Sequence, residues 1–127
     1  MIGDEKFSWK KRARSFVYAW KGLKALFNYE HNARIHLVAT LLAIGCGFFF
    51  GISPLEWCVV IGCIGCVISA EAVNSALEAI ADKVSPDYDP LIGRAKDLGA
   101  AAVMVLAAAA VIIGCIVFLP KFIDLIL

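Results

Sequence analysis

"WCVVIGCIGCVISAEAVNSALEAIAD" (57–82) decides the architecture of this 127-residue chain. Its first part, Trp57 to Ala70, is almost purely apolar. As a helix that part rises only about 21 Å, short of a hydrocarbon core roughly 30 Å thick. The helix must therefore run on into 71–82, where two glutamates, an asparagine and an aspartate wait. Glu71, Asn74, Ser75, Glu78 and Asp82 stand at i, i+3, i+4, i+7 and i+11. On a helix they share an arc of roughly 100°. Ala72, Val73, Leu77 and Ala81 face elsewhere. A membrane span that ends in one acidic stripe needs a use for those groups, because ionisable side chains at membrane depth are costly and face a cavity or a partner.

The rest of the chain fits a membrane protein of one domain. Apolar residues make up 61% of it, against about 45–50% in a soluble domain. Mean hydropathy is +0.82. "IHLVATLLAIGCGFFFGI" (35–52) is long enough for a first span. "SPLE" (53–56) is a tight turn, with Pro54 placed to start the second span, 55–82. The stretch 98–119, rich in alanine with Gly99 and Gly114, forms a third span whose small residues admit close helix neighbours. Between the second and third, "KVSPDYDPLIGRAKD" (83–97) is polar and contains two prolines and a glycine, which predicts a loop.

Ahead of the spans, residues 7–28 predict an amphipathic surface helix. Trp9, Ala13, Phe16, Trp20, Leu23 and Phe27 share one stripe, and Lys10, Lys11, Arg14 and Lys21 fall opposite. Aromatic residues against basic ones suit the headgroup region; a soluble helix packed on a partner protein is the bland alternative. No cleavable signal segment is evident, since the first apolar run starts near residue 35.

Net charge is +1, but eight of the twelve basic residues precede position 35. Lys83, Arg94 and Lys96 form a second group, while the 51–56 turn has no Lys or Arg. The excess of positive charge on the inner side places the N-terminus and the 83–97 loop in the cytoplasm. Lys121 is a minor exception. The five cysteines all lie in apolar runs, and "CIGC" (63–66) lacks a second pair, so they read as small hydrophobes.

Two more polar groups share the inner boundary. In "NYEHNARIH" (28–36), Arg34 and His36 read as interfacial anchors, whereas Glu30 lies on the same side as the acidic stripe. In "GRAKD" (93–97), Lys96 either snorkels to headgroups or meets phosphate as a point charge. Carboxylates one helical turn apart repel if both ionise. A divalent ion such as magnesium relieves that, or one carboxyl serves as a general base. Oligomer-locking hydrogen bonds remain the structural alternative. The inventory suits phosphoryl transfer, yet no GxxxxGK[ST], GxGxxG or HRD/DFG set is present.

"EAVNSALEAIAD" (71–82) and "GRAKDLGAAAV" (93–103), with "YAWKGLKALF" (18–27) and "EHNARIHLVA" (30–39), make the chain resemble the small membrane-embedded prokaryotic diacylglycerol kinases, a family that includes the undecaprenol kinases. The resemblance covers nearly the whole chain. It implies an all-α membrane protein, a surface helix plus three transmembrane helices, assembled as a homotrimer with shared active sites in the bacterial inner membrane. It implies transfer of the γ-phosphoryl group of ATP to a lipid hydroxyl, for lipid-carrier recycling or phospholipid metabolism, with magnesium and without nucleic acid. Glu71 matches the catalytic base, and Asn74 its active-site neighbour, with Ser75 beside them at the lipid. Glu30 and Glu78 match the metal carboxylates. Asp82, Lys96 and Asp97 match nucleotide-positioning residues, and Lys11, Tyr18 and Gly22 fall at positions near the nucleotide. Two positions depart from the family: an arginine is familiar at Lys11, and a histidine follows the loop tyrosine where this chain has Asp89. "RSFVYAW" and "EHNARIHL" lean toward undecaprenol; diacylglycerol stays open. The rival readings are a non-enzymatic membrane protein, with the stripe as oligomer lock or ion path, and a membrane phosphatase.

Overall fold

The computed structural model describes residues 6–127, and among them the chain is entirely helical outside short links. Four helices follow in order: α1 Trp9–Tyr29, α2 His31–Phe50, α3 Pro54–Val84 and α4 Pro90–Ile126. The last three are each long and apolar enough to cross a membrane. The longest pairing is α3 against α4; α2 packs on α3 and touches α4, and α1 reaches α2 and α3.

Local chemistry sets the boundaries at Ser8, Gly51, Ser53 and Asp89. Ser8 caps α1 by accepting from Lys11 N–H. A single extended residue, Glu30, separates α1 from α2. The Arg34 guanidinium reaches back across that joint, donating through Nε to the Phe27 carbonyl at 2.8 Å and through Nη2 to the Asn28 carbonyl. Arg34 thus caps the C-terminus of α1, a role beyond the anchor expected of it, because the last carbonyls of a helix need donors. At the other end of α2, Gly51 is left-handed (φ 59°). Gly51 N–H meets Phe48 O and Ile52 N–H meets Gly47 O, the paired bonds of a Schellman ending. Ser53 and Glu56 then exchange bonds of 3.2 and 3.0 Å as a capping box, and Pro54 opens α3.

The loop expected at 83–97 contracts to Ser85–Asp89. α3 extends to Val84, and α4 starts at Pro90. Asp89 makes the difference: its Oδ1 accepts from Leu91 and Ile92 N–H (2.9 and 3.1 Å), and Pro90 suits a first helical position. α4 also runs on past the expected end at 119, through Pro120 to Ile126. The proline removes one donor, but tertiary contacts hold the final turns. Phe122 stacks edge-on against Phe50 at 4.8 Å, and Lys121 Nζ lies 3.0 Å from Glu56 Oε2.

The core is small and sits at the end of the bundle near the α2–α3 turn. Ile52, Val60 and Val117 are buried there, with Trp57, Phe50 and Phe118 against them. Trp57 fills the notch left by Gly47, where a β-carbon would come within 2.6 Å of the indole. Most other large apolar side chains point outward, as lipid-facing surface requires. In α1 the aromatic stripe stays exposed at Trp9, Phe16 and Trp20, while Leu26 is buried against the bundle. All five cysteines are free.

Candidate functional site

At the end opposite the aromatic core, α3 carries its acidic stripe without a break. Exposure grades along it: Glu71 is buried, Asn74, Ser75 and Glu78 are half-buried, and Asp82 is exposed. The eleven-residue step from Glu71 to Asp82 climbs about 16 Å. One helix face therefore leads from the apolar interior to open solvent.

Glu71, with 3% of its surface exposed, is the buried charged residue of the described chain. Glu30 and Glu78 lie close enough for their charges to act on it. The α1–α2 joint thus delivers Glu30 to the stripe, as the shared boundary predicts. Across the interface with α2, His36 Nε2 stands 3.1 Å from Glu71 Oε1. The separation is that of an ion pair, and Oε1 is otherwise without a donor among the described residues. His36 is accordingly no interfacial anchor: it faces the buried carboxylate. Sequence reading missed it, although an ionisable residue inside a span already invites a search for a partner of opposite charge.

Asn74 donates from Nδ2 to Glu78 Oε1 at 3.3 Å. Its Oδ1 is buried without a donor and rests against Gly99 of α4. Gly99 thus does admit a close helix neighbour; Gly114, with open space at its β position, does not use its smallness in this way. Nearer the water, Lys96 Nζ pairs with Asp82 Oδ1 at 2.7 Å across α3 and α4, with both side chains solvent-accessible. Asp97 is exposed beside them.

Between α1 and α3 lies a shallow groove of about 510 Å³ whose wall includes Gly22, Leu26, Glu30, Ala72, Ser75 and Ala76. This brings Gly22 and Ser75 to the same space as Glu30. Tyr18 is exposed on α1, with Lys21 Nζ 5.9 Å from its ring centroid. Lys11 occupies the first turn of α1, and its carbonyl accepts from Ser15 Oγ.

The described residues contain no group of three or more His, Cys, Asp or Glu gathered to hold a metal. Glu30 and Glu78 offer two carboxylates, the number a magnesium ion takes when substrate phosphates and water complete its shell.

A three-span bundle thus holds a buried carboxylate with further acids acting on it and a lysine–aspartate pair toward its exposed end. Comparison with known proteins gives the class. Residues 17–118 match the prokaryotic diacylglycerol kinase family, and the chain belongs to it. It is 37% identical over 108 residues to an undecaprenol kinase of Bacillus subtilis, covering 85% of this chain and 88% of that one. It is equally 37% identical over 105 residues to a diacylglycerol kinase of Escherichia coli, covering 83% and 86%. A diacylglycerol kinase of Haemophilus influenzae is 32% identical over 105 residues, covering 82% and 89%. The protein is thus a multi-pass membrane lipid kinase, which sets aside the non-enzymatic and phosphatase readings. Kinase chemistry implies ATP and a lipid acceptor.

Proposed function

We propose that the chain moves the γ-phosphoryl group of ATP directly to the hydroxyl of a membrane lipid at the Glu71 site. The observation that carries this is the burial of Glu71 at the membrane end of a polar face that opens to water. A lipid hydroxyl reaches that depth from the bilayer, and a nucleotide only from the other side. Glu71 takes the hydroxyl proton, the lipid oxygen bonds to the γ-phosphorus, and the bond from that phosphorus to the bridging oxygen breaks to release ADP. Asn74 orients Glu78 through its amide, and Ser75 lies one turn from Glu71 on the same face. Glu30 and Glu78 hold the magnesium ion, which when bound neutralises phosphate charge. Lys96, steadied by Asp82, meets phosphate as a point charge, and Asp97, Lys11, Tyr18 and Gly22 border the nucleotide.

The protein works as a homotrimer in the bacterial inner membrane, with its N-terminus and nucleotide side in the cytoplasm. The large exposed apolar area of the single chain and the placement of its basic residues support that arrangement. Identity to the two kinds of relative is equal. The preference for undecaprenol over diacylglycerol therefore rests on "RSFVYAW" and "EHNARIHL", and with it lipid-carrier recycling over phospholipid metabolism. Purified protein given γ-labelled ATP, magnesium and each lipid in turn tests the reading. Label is expected in undecaprenyl phosphate above phosphatidic acid; label in neither lipid sinks it.

A further inference from the structure

A second groove lies wholly within the bundle. About 250 Å³ in volume, it runs between α2, α3 and α4 along Ala39, Ala43, Ile64, Val67, Ala107 and Gly114. Two hydrogen-bonding side chains other than a thiol line it, His36 and Thr40. Thr40 is committed to its own helix: Oγ1 donates to the His36 carbonyl at 2.7 Å. His36 is left as the polar head of an otherwise apolar slot, and its Nε2 stands 3.1 Å from Glu71 Oε1.

The two atoms are near enough to share a third. With Nε2 protonated, a hydroxyl oxygen about 2.8 Å from each accepts from the imidazole and donates to the carboxylate, using both capacities of the group. Oε1 of the buried Glu71 has no other donor among the described residues. An inserted hydroxyl supplies the missing donor. We propose that His36 is a further catalytic residue: its Nε2–H holds the acceptor lipid's hydroxyl oxygen against Glu71 and stabilises the negative charge that grows there as the proton leaves. The groove behind it takes the first part of the lipid's hydrocarbon. This inference rests on the reading of Glu71 as base.

The physical warrant is the usual value of a fixed donor aimed at developing oxyanion charge, about 10²–10³ in kcat when it is removed. Glu30 and Glu78 are the other charged groups that act on Glu71; with those two assigned to the metal and its phosphates, ATP handling is expected to be indifferent to His36.

The experiment compares His36→Ala, His36→Gln and Glu71→Gln as purified full-length proteins. Undecaprenol and a 1,2-diacylglycerol serve as acceptors, with magnesium and ATP. The glutamine amide places an N–H near the position of Nε2. His36→Ala is expected to lose about a hundredfold in kcat with KM for ATP unchanged. His36→Gln should recover most of that loss, with both variants melting near the parent temperature. Turnover of His36→Ala within twofold of the parent overturns the proposal. Equal impairment of His36→Ala and His36→Gln overturns it too, since a donor then makes no difference. Glu71→Gln separates the two readings. If it retains turnover, the base assignment fails; if it is inactive while His36→Ala is normal, the His36 inference alone fails.

Discussion

The amide oxygen of Asn74 on α3 rests against Gly99 of α4, at a point where any β-carbon would collide with it. The same amide donates to Glu78 at 3.3 Å. A glycine on one helix thus sets the position of a carboxylate on its neighbour. Gly99→Ala should displace Asn74, break the bond to Glu78, and cost about ten- to a hundredfold in kcat, since small misplacements at a reacting centre are expensive. The check is a double-mutant cycle. Adding Asn74→Ala to Gly99→Ala should cost little more than either change alone, because each removes the same contact.

Glu71→Gln and Glu78→Gln divide on their ligands. Removing a general base costs about 10²–10⁴ in rate, so Glu71→Gln is expected to lose turnover at every magnesium concentration. Glu78→Gln is expected to raise the magnesium concentration needed for half-maximal rate, with partial recovery at high metal. Crosslinking should show the same assembly as the parent in both. Full activity of Glu78→Gln at low magnesium would falsify its place on the metal.

Lys96 faces a different test. Its partner Asp82 is exposed, and screened surface pairs contribute little to stability. Lys96→Ala should therefore melt like the parent yet raise KM for ATP by about tenfold, the loss of one charge-assisted phosphate contact. The exchange Asp82→Lys with Lys96→Asp restores a pair across α3 and α4. If it also restores KM for ATP, the lysine acts only by pairing, and contact with phosphate is excluded.

Gly47→Ala probes the far end of the bundle. A β-carbon there meets Trp57 at 2.6 Å. The ring is hemmed by Phe48 at 4.9 Å between centroids, so it has little room to retreat. Overpacking of this kind costs about 1–3 kcal/mol. A lowered melting temperature with KM for lipid and ATP unchanged below the transition is the expected result, since the site sits at the opposite end of α3.

Much of this was legible before any coordinates. Apolar run lengths imposed three spans, because backbone groups in hydrocarbon must bond within their own helix. Helical spacing put Glu71, Asn74, Ser75, Glu78 and Asp82 on one face, since the period of a helix is a local property of the chain. Positive charge clustered before residue 35 and in 83–97 brought Glu30 and Lys96 to the same boundary. The ends of α3 and α4 were less legible. Prolines and a glycine in 83–97 resemble a loop, but Asp89 and Pro90 together start a helix, so that segment shortened to five residues.

Contacts between helices were beyond the reach of spacing. Arg34 and His36 sit two residues apart on α2, both basic residue types in its first two turns. One turns back to cap α1 and the other meets Glu71 on α3. Which neighbour a side chain faces depends on how helices rotate and cross, and those angles come from packing small residues such as Gly47 and Gly99 against Trp57 and Asn74. Periodicity along one chain segment carries the identity of its faces. The partner of each face is a property of the packed bundle.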